Sequence, residues 1–243
     1  DIQALTSVVI PSKVTKIEPM AFWKCPNLKV VTMLCEKAID PANIGDGTNK
    51  WAFTDADGND NRKNIILYVR EKVQPQFEAE EGGYKTYYSQ FGTNTAAQGT
   101  VQKSFWNATE TEEYINVSEY AYSLLSVKST DYTYTIPEPI TGPKVGTDGD
   151  TETLKVMLIG DYAFQEAPTD GICEVILHND VEYIGARAFL NDSIQPLDPK
   201  VPDGPKAATT STIKRIFFVN GEPKSLATVR YKLGGGYGTE NFD

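Results

Sequence analysis

One phrase, Val-x-x-Ile-x-x-x-Ala-Phe, occurs three times without gaps: Val14, Ile17, Ala21 and Phe22; Val156, Ile159, Ala163 and Phe164; Val181, Ile184, Ala188 and Phe189. Each copy couples a short extended piece to a helical-looking turn carrying Ala-Phe. One such unit is too small to bury its own apolar face, so copies must stack on one another. A second rhythm precedes the phrase. It reads Leu5-x-x-Val8-x-Ile10, then Leu28-x-x-Val31-x-Met33, Ile172-x-x-Val175-x-Leu177 and Ile213-x-x-Ile216-x-Phe218. Its last two positions are two residues apart and share one face of a strand. Strand and phrase are joined alike at both ends of the chain, with four positions from Ile10 to Val14 and four from Leu177 to Val181. The predicted unit is therefore strand, tight turn, second short strand, then a turn that buries Ala-Phe.

Between Cys35 and Phe91 the pattern loosens. Ile44-Gly45 and Ala52-Phe53 read as a copy stretched by insertion, with eight positions from Ile to Ala instead of four. Ile65 to Val69 is strongly β-prone. Phe77 to Glu80 and Tyr84 to Tyr88 favour helix. Gly92 to Gly99 is small and polar and reads as a linker. From Val101 the chain begins again, with strand signals at Tyr114 to Val117, at Tyr120 to Val127, and in the alternation of Tyr132, Tyr134 and Ile136. A hairpin-like loop is expected over 143–151, a long insertion over 191–212 and an unordered tail around Gly234 to Gly236. The expected organisation is a module over 1–92, a linker over 93–100 and a second module over 101–243. The fold class is α+β, mostly β.

Leu5 to Leu34 closely resembles the BspA-like leucine-rich repeat, whose units carry an Ile-Pro turn, an Ile-Gly-x-x-Ala-Phe segment and a Cys or polar turn before the next Leu. Ile10-Pro11, Ile17, Ala21-Phe22, Cys25 and Leu28 stand at those places. Ile159-Gly160-Asp161-Tyr162-Ala163-Phe164 and Ile184-Gly185-Ala186-Arg187-Ala188-Phe189 match more fully. The resemblance implies a right-handed β/α superhelix in two short capped modules. The Ile65–Val69 strand and its Tyr-bearing helix would close the first, and the strands from Val101 would lead into the second. It further implies a secreted or cell-surface, non-catalytic binding protein whose partner is a host or bacterial protein, while the many Tyr and Trp residues suggest a glycan as the alternative partner. A structural or accessory domain of a larger surface protein is the rival reading.

Composition narrows the partners. With 33 acidic against 23 basic residues the net charge is −10, opposite to what nucleic acid or an anionic membrane surface selects. No apolar run reaches the ~18 residues of a membrane span. A chain opening Asp1-Ile2 without Met reads as mature or trimmed. The three cysteines, Cys25, Cys35 and Cys173, are too few for a disulfide-built domain and read as small buried apolar residues. No cofactor motif is present.

Few single residues offer chemistry. His178, the only histidine, falls where Pro11 falls in the repeat and reads as a solvated corner without a nucleophile. Asp55, Asp57 and Asp60 alternate around Gly58 like a calcium loop, but the glycine is fourth and Ile66 stands where the twelfth-position Glu belongs. That stretch reads as a polar turn, so no metal is assigned. Asn107, Asn116 and Asn191 head glycan acceptor patterns. The residues between the buried strand positions, Val9, Thr32, Tyr68, Ile176 and Phe217, point outward and four of them are apolar or aromatic. Either other segments cover that face or it meets a partner. Tyr68, Lys214, Arg215 and Phe217 are the candidate binding residues.

Overall fold

The computed structural model describes residues 3–45, 51–144, 149–168, 171–185, 187–189, 213–219, 225–226, 231–233 and 236–238. The chain forms two compact units, one of Asp1–Phe105, Ile115–Tyr122 and Thr141–Leu154, the other of Trp106–Tyr114, Ser123–Ile140 and Lys155–Asp243. The described residues are mostly β. The strands are β1 (Ser7–Ile10), β2 (Val30–Met33), β3 (Ile66–Val69), β4 (Gln102–Lys103), β5 (Phe105–Trp106), β6 (Glu112–Ser118), β7 (Ala121–Val127), β8 (Thr133–Thr135), β9 (Ile140–Pro143), β10 (Thr151–Ile159), β11 (Glu174–Leu177), β12 (Tyr183–Ile184), β13 (Arg215–Phe218), β14 (Ser225–Leu226), β15 (Tyr231–Leu233) and β16 (Gly236–Gly238). The two α-helices among the described residues, α1 (Gln74–Phe77) and α2 (Tyr84–Tyr88), are short.

In the first unit β1, β2, β3 and β4 form a parallel sheet in that order. Val8, Val31 and Leu67 stand in register, as do Ile10, Met33 and Val69. These are the rhythm's inward positions, and with Leu28, Ile17 and Phe53 they build one core. The phrase stacks as its apolar spacing requires. Ile17 bridges Ile44 and Phe22 bridges Phe53, both parallel. The Phe22 amide donates to the Ala52 carbonyl at 2.8 Å, and the two rings lie face to face at 5.0 Å. The stretched copy at Ile44 to Phe53 is thus a true layer. Ala21 is exposed and Phe22 only half-buried, because this copy is the outer layer, whereas Ala52 and Phe53 are buried. Helix α2 and the turn after it send Tyr88 and Phe91 into the same core, where Tyr88 meets Phe77 at 4.6 Å and donates its hydroxyl to the Ile39 carbonyl at 2.6 Å. Residues 93–100 run as successive turns, with the Asn94 amide on the Lys63 carbonyl.

The second unit repeats the scheme. β8, β11 and β13 form a parallel sheet with β11 in the centre. Tyr134, Val175 and Ile216 face inward in one row. β10 pairs with β12 at Leu158–Tyr183 and Ile159–Ile184, and β12 pairs with β14. Phe164 donates its amide to the Ala188 carbonyl at 2.8 Å, the counterpart of the Phe22–Ala52 bond.

The Ala-Phe segments are turns and not helices. Met20, Tyr162 and Arg187, each immediately before the Ala, have φ of +63°, +57° and +54°. That left-handed residue reverses the chain and prevents helical continuation. The insertion over 191–212, Gly234-Gly235 of the tail and the acceptor Asn191 lie outside the described residues. Gly236 itself belongs to β16, which pairs antiparallel with β15.

Candidate functional site

The rhythm fixes which strand positions face outward, and the two units treat that face differently. In the first, Val9, Thr32 and Tyr68 form a row across β1, β2 and β3. The row is closed. Thr32 is 0% exposed and Tyr68 2%, and Thr32 Oγ1 donates at 2.7 Å to the carbonyl of Asn116 in β6. Tyr68 is therefore not placed to meet a partner. Its neighbour in the row is capped by a segment 84 residues away in sequence, which no local pattern reveals.

In the second unit the equivalent face is open. Thr135, Ile176 and Phe217 stand in one row, with Phe217 46% exposed. The adjoining row is Thr133, Glu174 and Arg215. Glu174 is ion-paired with Arg215 and accepts from Thr133 Oγ1 at 3.0 Å. Arg215 Nη2 also donates to the Tyr132 hydroxyl at 3.4 Å. That tyrosine is itself well exposed, and its hydrogen bond with Cys173 raises it above the ordinary phenol range. Lys214 and Val219 are exposed at the two ends of β13. Of the four residues proposed from sequence, Lys214, Arg215 and Phe217 are therefore gathered on an accessible strand. Tyr132 joins them, brought in by β8.

The Asp55 loop behaves as a polar turn. Asp55 Oδ1 accepts from the amides of Asp57 and Asn59, both at 2.9 Å. Burial works against its ionised form, but the bonds from Asn59, Asp57 and Gly58 prevail and hold it below the usual carboxylate range. Asp60 is committed to Arg62, at 2.6 Å. The Arg62 guanidinium lies over the rings of Trp51 and Tyr87, at 4.9 and 4.1 Å, so the loop is riveted to the core by a buried cation. Among the described residues, Asp55, Asp57 and Asp60 do not converge.

A different cluster does. Glu138, His178 and Asp180 each offer a ligand atom within 4.8 Å of the others. His178 departs from its expected place, since its side chain is only 11% exposed. The segment following β8 brings Glu138 against it, with Oε2 3.1 Å from His178 Nδ1. Burial pulls the imidazole below its ordinary pKa. A hydrogen bond with Asp180 raises Glu138, and the same bond with that from Lys155 lowers Asp180. Sequence spacing gave no sign of this group, because Glu138 lies 40 residues before His178 and only the β8–β11 pairing joins them.

Residues 1–40 and 152–203 match the BspA type leucine rich repeat region, in six copies. These two segments are thus similar to BspA-type leucine-rich repeats. No curated protein and no solved structure matches the chain. The BspA-type segments carry β1 and β2 in one unit and β10, β11 and β12 in the other. β3 and β13 lie outside them, yet both align residue for residue on a matched strand. The exposed row on β13 thus extends a sheet whose central strand lies in a matched segment. Of the described glycan acceptors near these repeats, Asn116 is fully buried, and Asn107 donates its amide to Thr111 and Glu112. Among the described residues no helix is long and apolar enough to cross a membrane.

Proposed function

We propose that this is a non-catalytic, secreted or cell-surface binding protein, and that it takes a protein partner on the open outer face of the β8–β11–β13 sheet. Two short capped modules of right-handed β/α superhelix would present that face. The observation that carries the reading is the contrast between one repeat row sealed at Tyr68 and its counterpart left open at Phe217. An exposed aromatic flanked by Tyr132, Arg215 and Lys214 has the make-up of an interface hot spot. The ion-paired Glu174–Arg215 row gives the apolar row a polar border of the kind that rims protein interfaces.

The test is surface-plasmon binding of the purified protein to immobilised host-matrix proteins, alongside a glycan array. Phe217→Ala is expected to weaken protein binding by about fivefold to thirtyfold, the range of one or two kcal/mol of hot-spot loss. Tyr68→Phe, which alters only the sealed row, should leave it unchanged. Binding that survives Phe217→Ala together with Arg215→Ala overturns the assignment of this face. A signal on glycans alone overturns the protein partner, and no binding anywhere supports the accessory role instead.

A further inference from the structure

We propose that Glu138, His178 and Asp180 form a site for a divalent first-row transition cation of the zinc class, held by His178 Nδ1 and one carboxylate oxygen from each acid. The proposal does not rest on the binding face described above.

The backbone sets the site before any cation arrives. Glu138 follows β8, and His178 and Asp180 occupy the turn after β11. The two strands are locked in parallel register, with the Ile136 amide on the Ile176 carbonyl at 3.0 Å and the turn closed by the Val181 amide on the His178 carbonyl at 3.3 Å. The three donor atoms already lie within 4.8 Å of one another. The His178–Glu138 separation of 3.1 Å is close to the about 3.3 Å that two ligands keep on a tetrahedral zinc with bonds of about 2.0–2.2 Å.

Hydrogen accounting points the same way. His178 Nδ1 accepts the Asp180 amide at 3.2 Å, so that nitrogen carries no hydrogen toward Glu138. Glu138 Oε2 stands 3.1 Å from that nitrogen, so an imidazole nitrogen and a carboxyl oxygen lie side by side as two ligands of one cation do. Ligation exchanges the Asp180 amide bond for a metal bond. With Nδ1 accepting, the ring hydrogen sits on the opposite nitrogen, Nε2, which is buried with no partner among the described residues. Among the described residues the cation at hand is Lys155, whose ammonium lies 2.8 Å from Asp180. It neutralises the corner in the metal-free protein, and its 57% exposed side chain can swing into solvent.

The donor set selects the class. One imidazole and two carboxylates suit zinc and its neighbours, whereas calcium asks for six to eight oxygens. Glu138 and Asp180 remain about one-third exposed, which leaves a way in and a fourth position for water.

The single histidine makes the test direct. Protein labelled with 15N-histidine gives one imidazole, and one equivalent of Zn2+ at pH 7.5 should move its Nδ1 resonance. Competition against a chromophoric zinc chelator supplies affinities. Glu138→Gln and Asp180→Asn should each weaken binding at least tenfold with the amide fingerprint spectrum otherwise unchanged. Lys155→Gln should tighten it by about tenfold, since a like charge beside the ion is removed. An imidazole that Zn2+ leaves unmoved, an Nε2 signal that moves in place of Nδ1, equal affinity for Ca2+, or a Lys155→Gln variant that binds no tighter would each overturn the site.

Discussion

Gly185 ends the extended part of the third phrase, where one repeat layer packs against the layer before it. Its amide donates to the Ile159 carbonyl at 2.8 Å. A methyl group added there would lie 2.5 Å from the Asp161 nitrogen and 2.7 Å from the Gly160 carbonyl carbon. Ordinary contact begins at 3.4 Å, so against the nitrogen the overlap is 3.4 less 2.5, roughly 0.9 Å, and it falls on backbone that cannot rotate away. Relief requires the layers to part, which strains the Gly185–Ile159 bond and the Gly160–Leu124 bond beside it. Overpacking of a filled interior costs about 1–3 kcal/mol, and a rigid backbone obstacle puts Gly185→Ala at the upper end. At about 2–4 °C per kcal/mol for a chain of this size, Tm should fall by about 6–12 °C, read by circular dichroism. Gly160→Ala is the internal control. Its new methyl would stand 3.1 Å from the Leu124 carbonyl oxygen, a gap that a few tenths of an ångström relieves, so its loss should be clearly smaller. A Gly185→Ala protein melting within about 1 °C of the parent, or a reversed order of the two variants, would refute the layer spacing that the repeat argument depends on.

Two further outcomes are expected. Tyr88→Phe leaves the Ile39 carbonyl without the hydroxyl that reaches it at 2.6 Å, and urea titration should show a loss of about 1–2 kcal/mol. An unchanged midpoint would mean that water or another donor replaces it. Burial pushes the Cys35 thiol up to about 11 and the Tyr87 phenol up to about 12, from 9.0 and 10.0. The folded chain then keeps protons that the unfolded chain releases. Stability should accordingly be level below about pH 9 and fall as the pH climbs toward 11–12. At pH 8 Cys35 should alkylate about a hundredfold more slowly than an ordinary thiol, as its smaller thiolate fraction dictates. Equal labelling of Cys35 in native and urea-unfolded protein would contradict this.

The strand rhythm was readable because its inward positions carry a period of two within each strand, and all four copies lie in parallel sheets at the places their spacing indicates. The stretched copy was also readable, since Ile44 and Phe53 keep their residue types where the spacing does not. The turns were misread as helical because Met20, Tyr162 and Arg187 are not glycines, and only the backbone shows that they are left-handed. Tyr68 read as outward, which the pleat confirms. Its burial depends on a strand contributed from Asn116 to its own sheet's outer face, a long-range event without a local signature. His178 was misplaced for the same reason. Alignment with Pro11 correctly located the corner, but what covers a corner is a matter of tertiary neighbours such as Glu138.

The layer that spans Ile44 to Phe53 has a practical consequence. It is pinned at both ends, by the bridges to Ile17 and Phe22, while the spacing between its own landmarks is twice that of the intact copies. Lengthening a loop already closed at its ends costs only about 0.6 kcal/mol per doubling. The repeat therefore tolerates added length between its Ile and its Ala-Phe landmarks without unseating the layers, which makes that point of the unit a natural port for epitope tags or display sequences.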